Sequence, residues 1–454
     1  RSLASRLAAQ GRTFPLIAET GGQNPMIVDS SALTEQVVMD VVASAFDSAG
    51  QRCSALRVLC VQDDVADRVL EMLKGAMAEY RMGNPERLNV DIGPVIDGEA
   101  REMIECHIAQ LRSKGRKVYQ GARVDGDCKH GTFVQPTVIE LESFDELERE
   151  VFGPVLHVIR YARRELPALL EQINGTGYGL TLGLHTRIDE TIAAVVEAGH
   201  AGNIYVNRNM VGAVVGVQPF GGEGLSGTGP KAGGPLYLLR LLSTCPADTA
   251  AKALKHRDLH GEPESVLRDQ LQLPLKALAT WAKEHAPELV TTVARFGEQA
   301  QSGTSRLLPG PTGERNSYVI LPRERVLGFA EHRQDLLAQL AAALAVGTRM
   351  LWPAENAAAR EVFQHLPTPV QSRIDFCDDW NAPGVQFDAV IHHGDSDKLR
   401  ALCQYVAERL GPIVGVQGLP VGDSAISLER LVIERAISVN TAAAGGNASL
   451  MSIG

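Results

Sequence analysis

The sequence predicts an α/β protein built as two successive layered regions. Three observations point there. Short apolar runs alternate with helix-spaced apolar positions across residues 12–245. That alternation stops in a charged stretch, residues 246–270, where large apolar side chains are scarce, and it resumes from about 271 to the end. Over 454 residues, apolar residues make up 44% and charged residues 22%. These are ordinary values for a globular chain long enough for two or more cores.

The elements follow from the pattern in order. FPLIAE (14–19), RVLCVQ (57–62) and PVLHVIR (154–160) read as strands, being short apolar runs bounded by breaks. VVMDVVASAF, ending at Phe46, and the series Val65, Val69, Met72, Leu73, Met77, Tyr80 read as helices. Residues 246–270 read as a linker or an exposed helix. Leu336–Val346 is rich in Ala and Leu and reads as a core-facing helix, with Gln339 in its middle.

Composition also excludes function classes. Lys+Arg 44 against Asp+Glu 54 gives a net charge of −10, which argues against nucleic-acid binding by this stretch, since phosphates need clustered cations. No apolar run reaches the roughly 18 residues of a membrane span, and RSLASRLAAQG lacks the apolar centre and cleavage site of a signal peptide. The odd number of cysteines, 7, scattered from Cys53 to Cys403, suits free thiols in a reducing compartment. Cys128-x-His130 and His392-His393 lack further ligands at useful spacing, so no metal site is expected.

Four segments carry chemistry. In FDSAGQRCS, Cys53 follows a Gly-Gln turn at the end of an apolar helix, where a thiolate can face a cleft; Arg52 beside it can favour the anion. In AETGGQNP, Glu19 ends a strand-like run before the Thr20-Gly21-Gly22 turn, and such a carboxylate can act on water as a general base. In EVFGPV, Glu150 and Phe152 stand at a strand start, where they can hold a ribose and a flat ring. NIYVN, Gly212-Ala213 and QPFGG, with Phe220, offer glycine backbone to an anionic group. Taken singly, Cys53 is as well read as a buried thiol, Glu19 as a solvated carboxylate and the third segment as an ordinary turn. GTGPKA (227–232) fits a dinucleotide-loop pattern, but no clear strand precedes it and Pro230 with Gly233-Gly234 makes it a loop.

In this order and spacing the four segments resemble the aldehyde dehydrogenase superfamily, which oxidises aldehydes to acids with NAD or NADP. The resemblance implies Cys53 as nucleophile, through a thiohemiacetal and a thioester, and Glu19 as the base for thioester hydrolysis. It implies the Cys53 backbone N–H as an oxyanion donor. It places Glu150, Phe152, Thr20 and Gly21 at the cofactor, NAD. GQRCSALR and RNMVGAVVGVQPFGG resemble the glutamate-γ-semialdehyde dehydrogenase group. There Ser54, Gly212 and Ala213 would grip the α-carboxylate of L-glutamate γ-semialdehyde and Phe220 its stem, with L-glutamate as product.

SGTGPKAGGPLYLLRLLS, LPGPTGERN (308–316) and the terminal SVNTAAAGGNASLMSIG are similar to the long bifunctional, proline-catabolising members of the family. In those, an FAD-dependent proline dehydrogenase domain precedes the dehydrogenase on one polypeptide, and the intermediate crosses an internal tunnel. The implied divisions are 1–20, end of the NAD-binding domain; 21–245, catalytic domain; 246–270, linker; 271–437, a degenerate Rossmann-like domain without cofactor; and 438–454, a tail on the catalytic domain. The proline dehydrogenase part is absent, as are the family's oxyanion asparagine and cofactor lysine, so the chain reads as part of a longer enzyme that alone should not turn over. A cytoplasmic location is implied, with peripheral membrane association through the proline dehydrogenase part. DNA is a partner only where an N-terminal ribbon-helix-helix domain is present, and oligomerisation stays open. Residues 402–440 echo 170–207, and Trp352 stands where a cofactor lysine would precede Pro-Ala-Glu. A monofunctional dehydrogenase with an appended domain, and a non-catalytic scaffold, are the alternatives.

Overall fold

The computed structural model describes residues 2–10, 16–242, 249–254 and 269–442. By contacts the chain forms two compact units. One comprises Thr20–Gln218, Gly310–Asn316 and Ile437–Gly454; the other comprises Arg1–Glu19, Pro219–Pro309 and Ser317–Ala436. The cut thus falls at 218/219, ahead of residue 245. Residues 219–242 group with the second unit, where Arg240 pairs with Glu434 and Glu223 with Arg435. Among the described residues no helix is long and apolar enough to cross a membrane.

The first unit is organised by a sheet whose central strands run, in spatial order, Asn203–Val206, Thr181–His185, Pro25–Val28, Val58–Gln62, Val155–Tyr161 and Thr137–Leu141, all parallel. Val118–Gln120 closes one edge antiparallel. PMIV and VLCVQ are buried throughout, as parallel strands covered on both faces must be. Helices Thr34–Phe46 and Asp63–Glu79 bury Val37, Val41, Phe46, Val69 and Leu73 in the same core. Two predicted strands therefore form nearly as read. The third, FPLIAE, does not: Leu16–Ala18 are irregular and Glu19 makes only an isolated antiparallel bridge to Gly227, while Phe14 and Pro15 lie outside the described residues. Its partner is a glycine loop, not a strand edge, so no ladder can extend.

In the second unit five parallel strands lie in the order Ile374–Cys377, Arg349–Pro353, Arg325–Phe329, Ala389–His393, Gly415–Leu419. Numbered along the chain this is 3-2-1-4-5, a Rossmann-like order, in keeping with the Rossmann-like α/β region expected from the sequence. The expected helix runs Arg333–Val346, is buried on every side and ends at Gly347 in the left-handed region. Its buried Gln339 donates to Phe329 O (2.9 Å) and to His393 Nδ1 (2.8 Å). His393 Nδ1 must then be the acceptor, so Nε2–H donates to Asp423 O at 2.7 Å.

The internal repeat is half realised. Helix Leu166–Gly175 and strand Thr181–His185 have counterparts in helix Ser396–Glu408 and strand Gly415–Leu419. Helix Asp189–Ala198 has none: Pro420 and Gly422 occupy that stretch, and only a short 3-10 turn, Leu428–Leu431, forms. Of the expected linker, Thr249–Leu254 is helical, and 243–248 and 255–268 lie outside the described residues. The tail begins within the strand Val432–Asn440; Ser438 Oγ accepts from Arg208 (2.8 Å) and Thr441 N donates to Gly313 O (2.8 Å), while 443–454 lie outside the described residues.

Trp352 is fully buried beside Phe376, ring centroids 6.1 Å apart. Trp352→Ala should cost about 3–5 kcal/mol of stability, the range for truncating a buried aromatic. Urea unfolding checks this; a loss below about 1 kcal/mol would contradict the packing.

Candidate active site

Cys53 stands on a loop that leaves helix Thr34–Phe46 through three consecutive left-handed residues. Ser48 has φ 56°, Ala49 φ 55° and Gly50 φ 65°. Non-glycine residues there store roughly 1–3 kcal/mol each, so surrounding contacts must enforce the turn. Asn24, itself buried, donates from Nδ2 to Cys53 O (2.7 Å) and Ala55 O (2.8 Å) and accepts from Thr181 N (3.2 Å), tying the loop to two central strands. Ser44 O accepts from Leu56 N (2.9 Å) and Ser44 Oγ from Met210 N (3.0 Å), which ties the Gly212-Ala213 segment to the same helix. Cys53 is exposed and is in no disulfide.

The residue that enforces the turn is Arg57, which sequence reasoning missed. Its side chain is 2% exposed. All five guanidinium N–H groups are spent: Nη1 on Gly50 O (2.7 Å) and Gly153 O (3.1 Å), Nη2 on Arg52 O and Glu150 Oε1 (both 3.1 Å), Nε on Glu150 Oε1 (3.2 Å). The guanidinium carbon lies 5.0 Å from the Phe152 ring centroid. One side chain thus joins the Cys53 loop to the Glu150–Gly153 loop. At Gly50 a Cβ would overlap the Gly153 carbonyl, so this close approach requires glycine. Burial pushes the Arg57 pKa down, while Glu150 and, more weakly, Cys53 push it back up. Arg52, the cation expected beside the thiol, instead donates to Ser48 Oγ at 3.1 Å.

Glu150 is placed as densely. Its Oε2 accepts from Gly22 N (3.2 Å), and at Gly21, φ 101°, a Cβ would collide with the carboxylate. Burial raises the Glu150 pKa, with Arg57 and the Gly22 N–H opposing. Phe152 keeps 40% of its surface exposed. Behind Arg57, the fully buried His157 donates from Nδ1 to Arg57 O (3.1 Å), and its Nε2 accepts from His107 Nε2 (2.9 Å). Burial pushes the His157 pKa down to about 3, so it is neutral and that tautomer is fixed.

Cys53, Ser54, Gly21, Glu150, Phe152 and the Gly212-Ala213 segment belong to the first unit, as does Thr20; Glu19 and Phe220 belong to the second. Ser54 is buried, and Thr181 Oγ1 reaches its carbonyl at 3.5 Å. Gly212, φ 78°, faces open space, so glycine serves conformation there. Glu19 bridges Gly227 and accepts from Gly222 N at 3.3 Å. Burial raises its pKa, with the Gly222 N–H and the Lys231 ammonium opposing. Phe220 exchanges backbone hydrogen bonds with Ala232 (3.0 and 2.8 Å). GTGPKA is a loop, as read, and folds back against Ala18 and Glu19.

An exposed cysteine loop and a glycine-cradled glutamate thus lie on one parallel α/β sheet, and residues 1–244 match the model of the aldehyde dehydrogenase family. The chain belongs to that family. Over its whole length it is similar to the bifunctional protein PutA of Escherichia coli (strain K12), 64% identical over 100% of this chain and 34% of that protein. About half of it, 49%, is 37% identical to 43% of a 1-pyrroline-5-carboxylate dehydrogenase from Bacillus mycoides (strain KBAB4). A solved structure of proline utilization A from Corynebacterium freiburgense covers 98% of the chain with 41% of its own length, at TM-score 0.72 and 23% identity, a likeness of fold alone. The chain spans about a third of the length of the curated PutA relatives it matches.

Arg57→Met should leave Glu150 buried without its cation and the loop carbonyls without donors, costing about 3–5 kcal/mol. Arg57→Lys should recover only part of this, because an ammonium cannot replace a five-donor fork. Urea unfolding, with iodoacetamide labelling of Cys53 to report on the loop, checks both.

Proposed function

We propose that this chain carries the aldehyde-oxidising site of an NAD-dependent L-glutamate γ-semialdehyde dehydrogenase, within an enzyme whose other part is an FAD-dependent proline dehydrogenase. The observation that carries the proposal is the Arg57 clamp. It holds an exposed cysteine loop against a loop presenting Glu150 and Phe152. The names of the similar proteins supply the substrate class.

The nicotinamide end of a dinucleotide fits the residues present. Phe152 offers a half-exposed ring face, and the Gly21-Gly22 turn holds Glu150 as the acceptor for ribose hydroxyls. When bound, NAD supplies the two-electron acceptor. On the protein side, the Cys53 thiolate adds to the aldehyde carbon, forming the C–S bond of a thiohemiacetal. The strained, clamped turn fixes where Sγ stands and lets the Cys53 N–H face the developing oxyanion. Oxidation leaves a thioester on Cys53. Glu19 takes a proton from water, the resulting hydroxide adds to the acyl carbon, the C–S bond breaks, and L-glutamate leaves with the thiolate restored. Burial raises the Glu19 pKa, which makes its carboxylate a better proton acceptor. Ser54, Gly212 and Ala213 hold the substrate carboxylate, and Phe220 its methylene stem. The Rossmann-like sheet holds no nucleotide and serves structure. Trp352 puts an apolar ring where a cationic anchor would stand, and the strand Arg325–Phe329 leads into its helix without a glycine-rich turn.

In the full-length enzyme, Cys53→Ser should abolish NADH formation from the semialdehyde and spare proline oxidation. Glu19→Ala should preserve a rapid first turnover and slow the following steady rate by about 10²–10⁴-fold, the usual worth of a general base. Stopped-flow NADH absorbance separates the phases. Equal loss of both would contradict the role of Glu19.

A further inference from the structure

The loop GTGPKA carries a residue that neither the cofactor nor the substrate reading uses. Lys231 is 0% exposed. A lysine is rarely taken wholly out of water, because the ammonium loses its hydration unless partners replace it. Its Nζ donates to Gly221 O, and the N–H of the next residue, Gly222, donates to Glu19 Oε2 at 3.3 Å. The peptide between them is therefore held at its carbonyl by Lys231 and meets Glu19 with its amide. At Gly221 a Cβ would meet Pro230 O at 2.5 Å and Glu19 Oε1 at 3.3 Å, so the loop, the peptide and the carboxylate are in close contact.

The charges around Lys231 come from several elements. Glu19, Glu223 and Glu434 favour its ammonium, and Arg435 opposes it. Glu223 and Glu434 are largely taken by other groups: Arg435 lies 3.6 Å from Glu223, and Glu434 accepts from Arg240 (3.1 Å) and from Tyr318 Oη (2.6 Å). For Glu19, Lys231 is a cation that favours the ionised carboxylate, together with the Gly222 N–H and against the cost of burial.

We propose that Lys231 is a positioning and charge-tuning residue for Glu19: its buried ammonium fixes the Gly221–Gly222 peptide that donates to the carboxylate, and keeps that carboxylate ionised and able to accept a proton. The inference rests on the reading of Glu19 as the hydrolytic base. Burial pushes the Lys231 pKa down to about 7, so its charge varies across the neutral range, in which Glu19 must work. The sign follows directly. Glu19 is raised by burial and lowered by Lys231. Removing the ammonium therefore raises its pKa further, and the base form is lost at a higher pH.

The experiment uses the full-length enzyme, the semialdehyde and NAD, with stopped-flow NADH read across pH. Lys231→Gln keeps a donor for Gly221 O and removes the charge; Lys231→Met removes both. In Lys231→Gln the acid limb of the post-burst steady rate should move up by about one pH unit, the lower end of what a nearby opposite charge does to a carboxyl. The first-turnover rate and the KM for the semialdehyde should stay as in the parent enzyme. Lys231→Met should show the same shift and a lower plateau, because the Gly222 N–H is no longer held. An unmoved acid limb in Lys231→Gln, while Glu19→Ala still slows the steady rate, overturns the role of Lys231 alone. A Glu19→Ala enzyme with an unchanged steady rate overturns the Glu19 reading, and this inference with it.

Discussion

Arg57 occupies a position that few interactions in a protein can fill. Five N–H groups leave one planar cation, and each finds an acceptor: three carbonyls, from Gly50, Arg52 and Gly153, and the Glu150 carboxylate. The turn at Ser48–Gly50 is strained, and a strained turn persists only where its surroundings over-determine it. The Arg57 fork supplies that determination. It also fixes Glu150, which in turn meets the Gly21-Gly22 turn. A carboxylate and a guanidinium buried together are costly to desolvate, and a well-packed apolar pair can be as stable. What the ion pair provides is geometry, holding two loops in one relation.

The second unit applies the same physics at smaller scale. Lys231 is buried, its charge faces Glu19, Glu223 and Glu434, and one of its N–H groups is spent on a loop carbonyl. In both units a cation withdrawn from water organises glycine-rich backbone around a carboxylate. Glycine is needed at Gly50 and Gly21 because the carbonyl and the carboxylate come closer than any Cβ permits. Each such loop thus couples a conformational requirement to an electrostatic one.

The five-stranded sheet of the second unit shows how a fold outlasts its site. Its buried helix Arg333–Val346 follows from apolar patterning, and its five strands keep a Rossmann-like order. Trp352 fills space in that core beside Phe376 and leaves no cation at the strand end. The echo of 170–207 in 402–440 holds for a helix and a strand, then ends where Pro420 and Gly422 replace helix-forming residues. Patterning preserves layers, whereas a binding site needs particular side chains at particular strand ends.

The sequence by itself determined the α/β class, two of the three strands read from it, and the order and spacing of the four segments around Glu19, Cys53, Glu150 and Phe220, because periodicity and glycine turns are local properties. It misjudged FPLIAE, since an apolar run becomes a strand only where a partner edge exists, and here Glu19 meets a glycine loop. It passed over Arg57 and Lys231 for a related reason. A charged residue at a strand entrance or in a glycine loop reads as solvated. The acceptors of Arg57 lie 5, 7, 93 and 96 residues away in the chain, and Glu19 and Glu434 lie farther still from Lys231 on either side. Only the tertiary structure decided which cations left water, because desolvation depends on what packs around a group, and no local pattern records that.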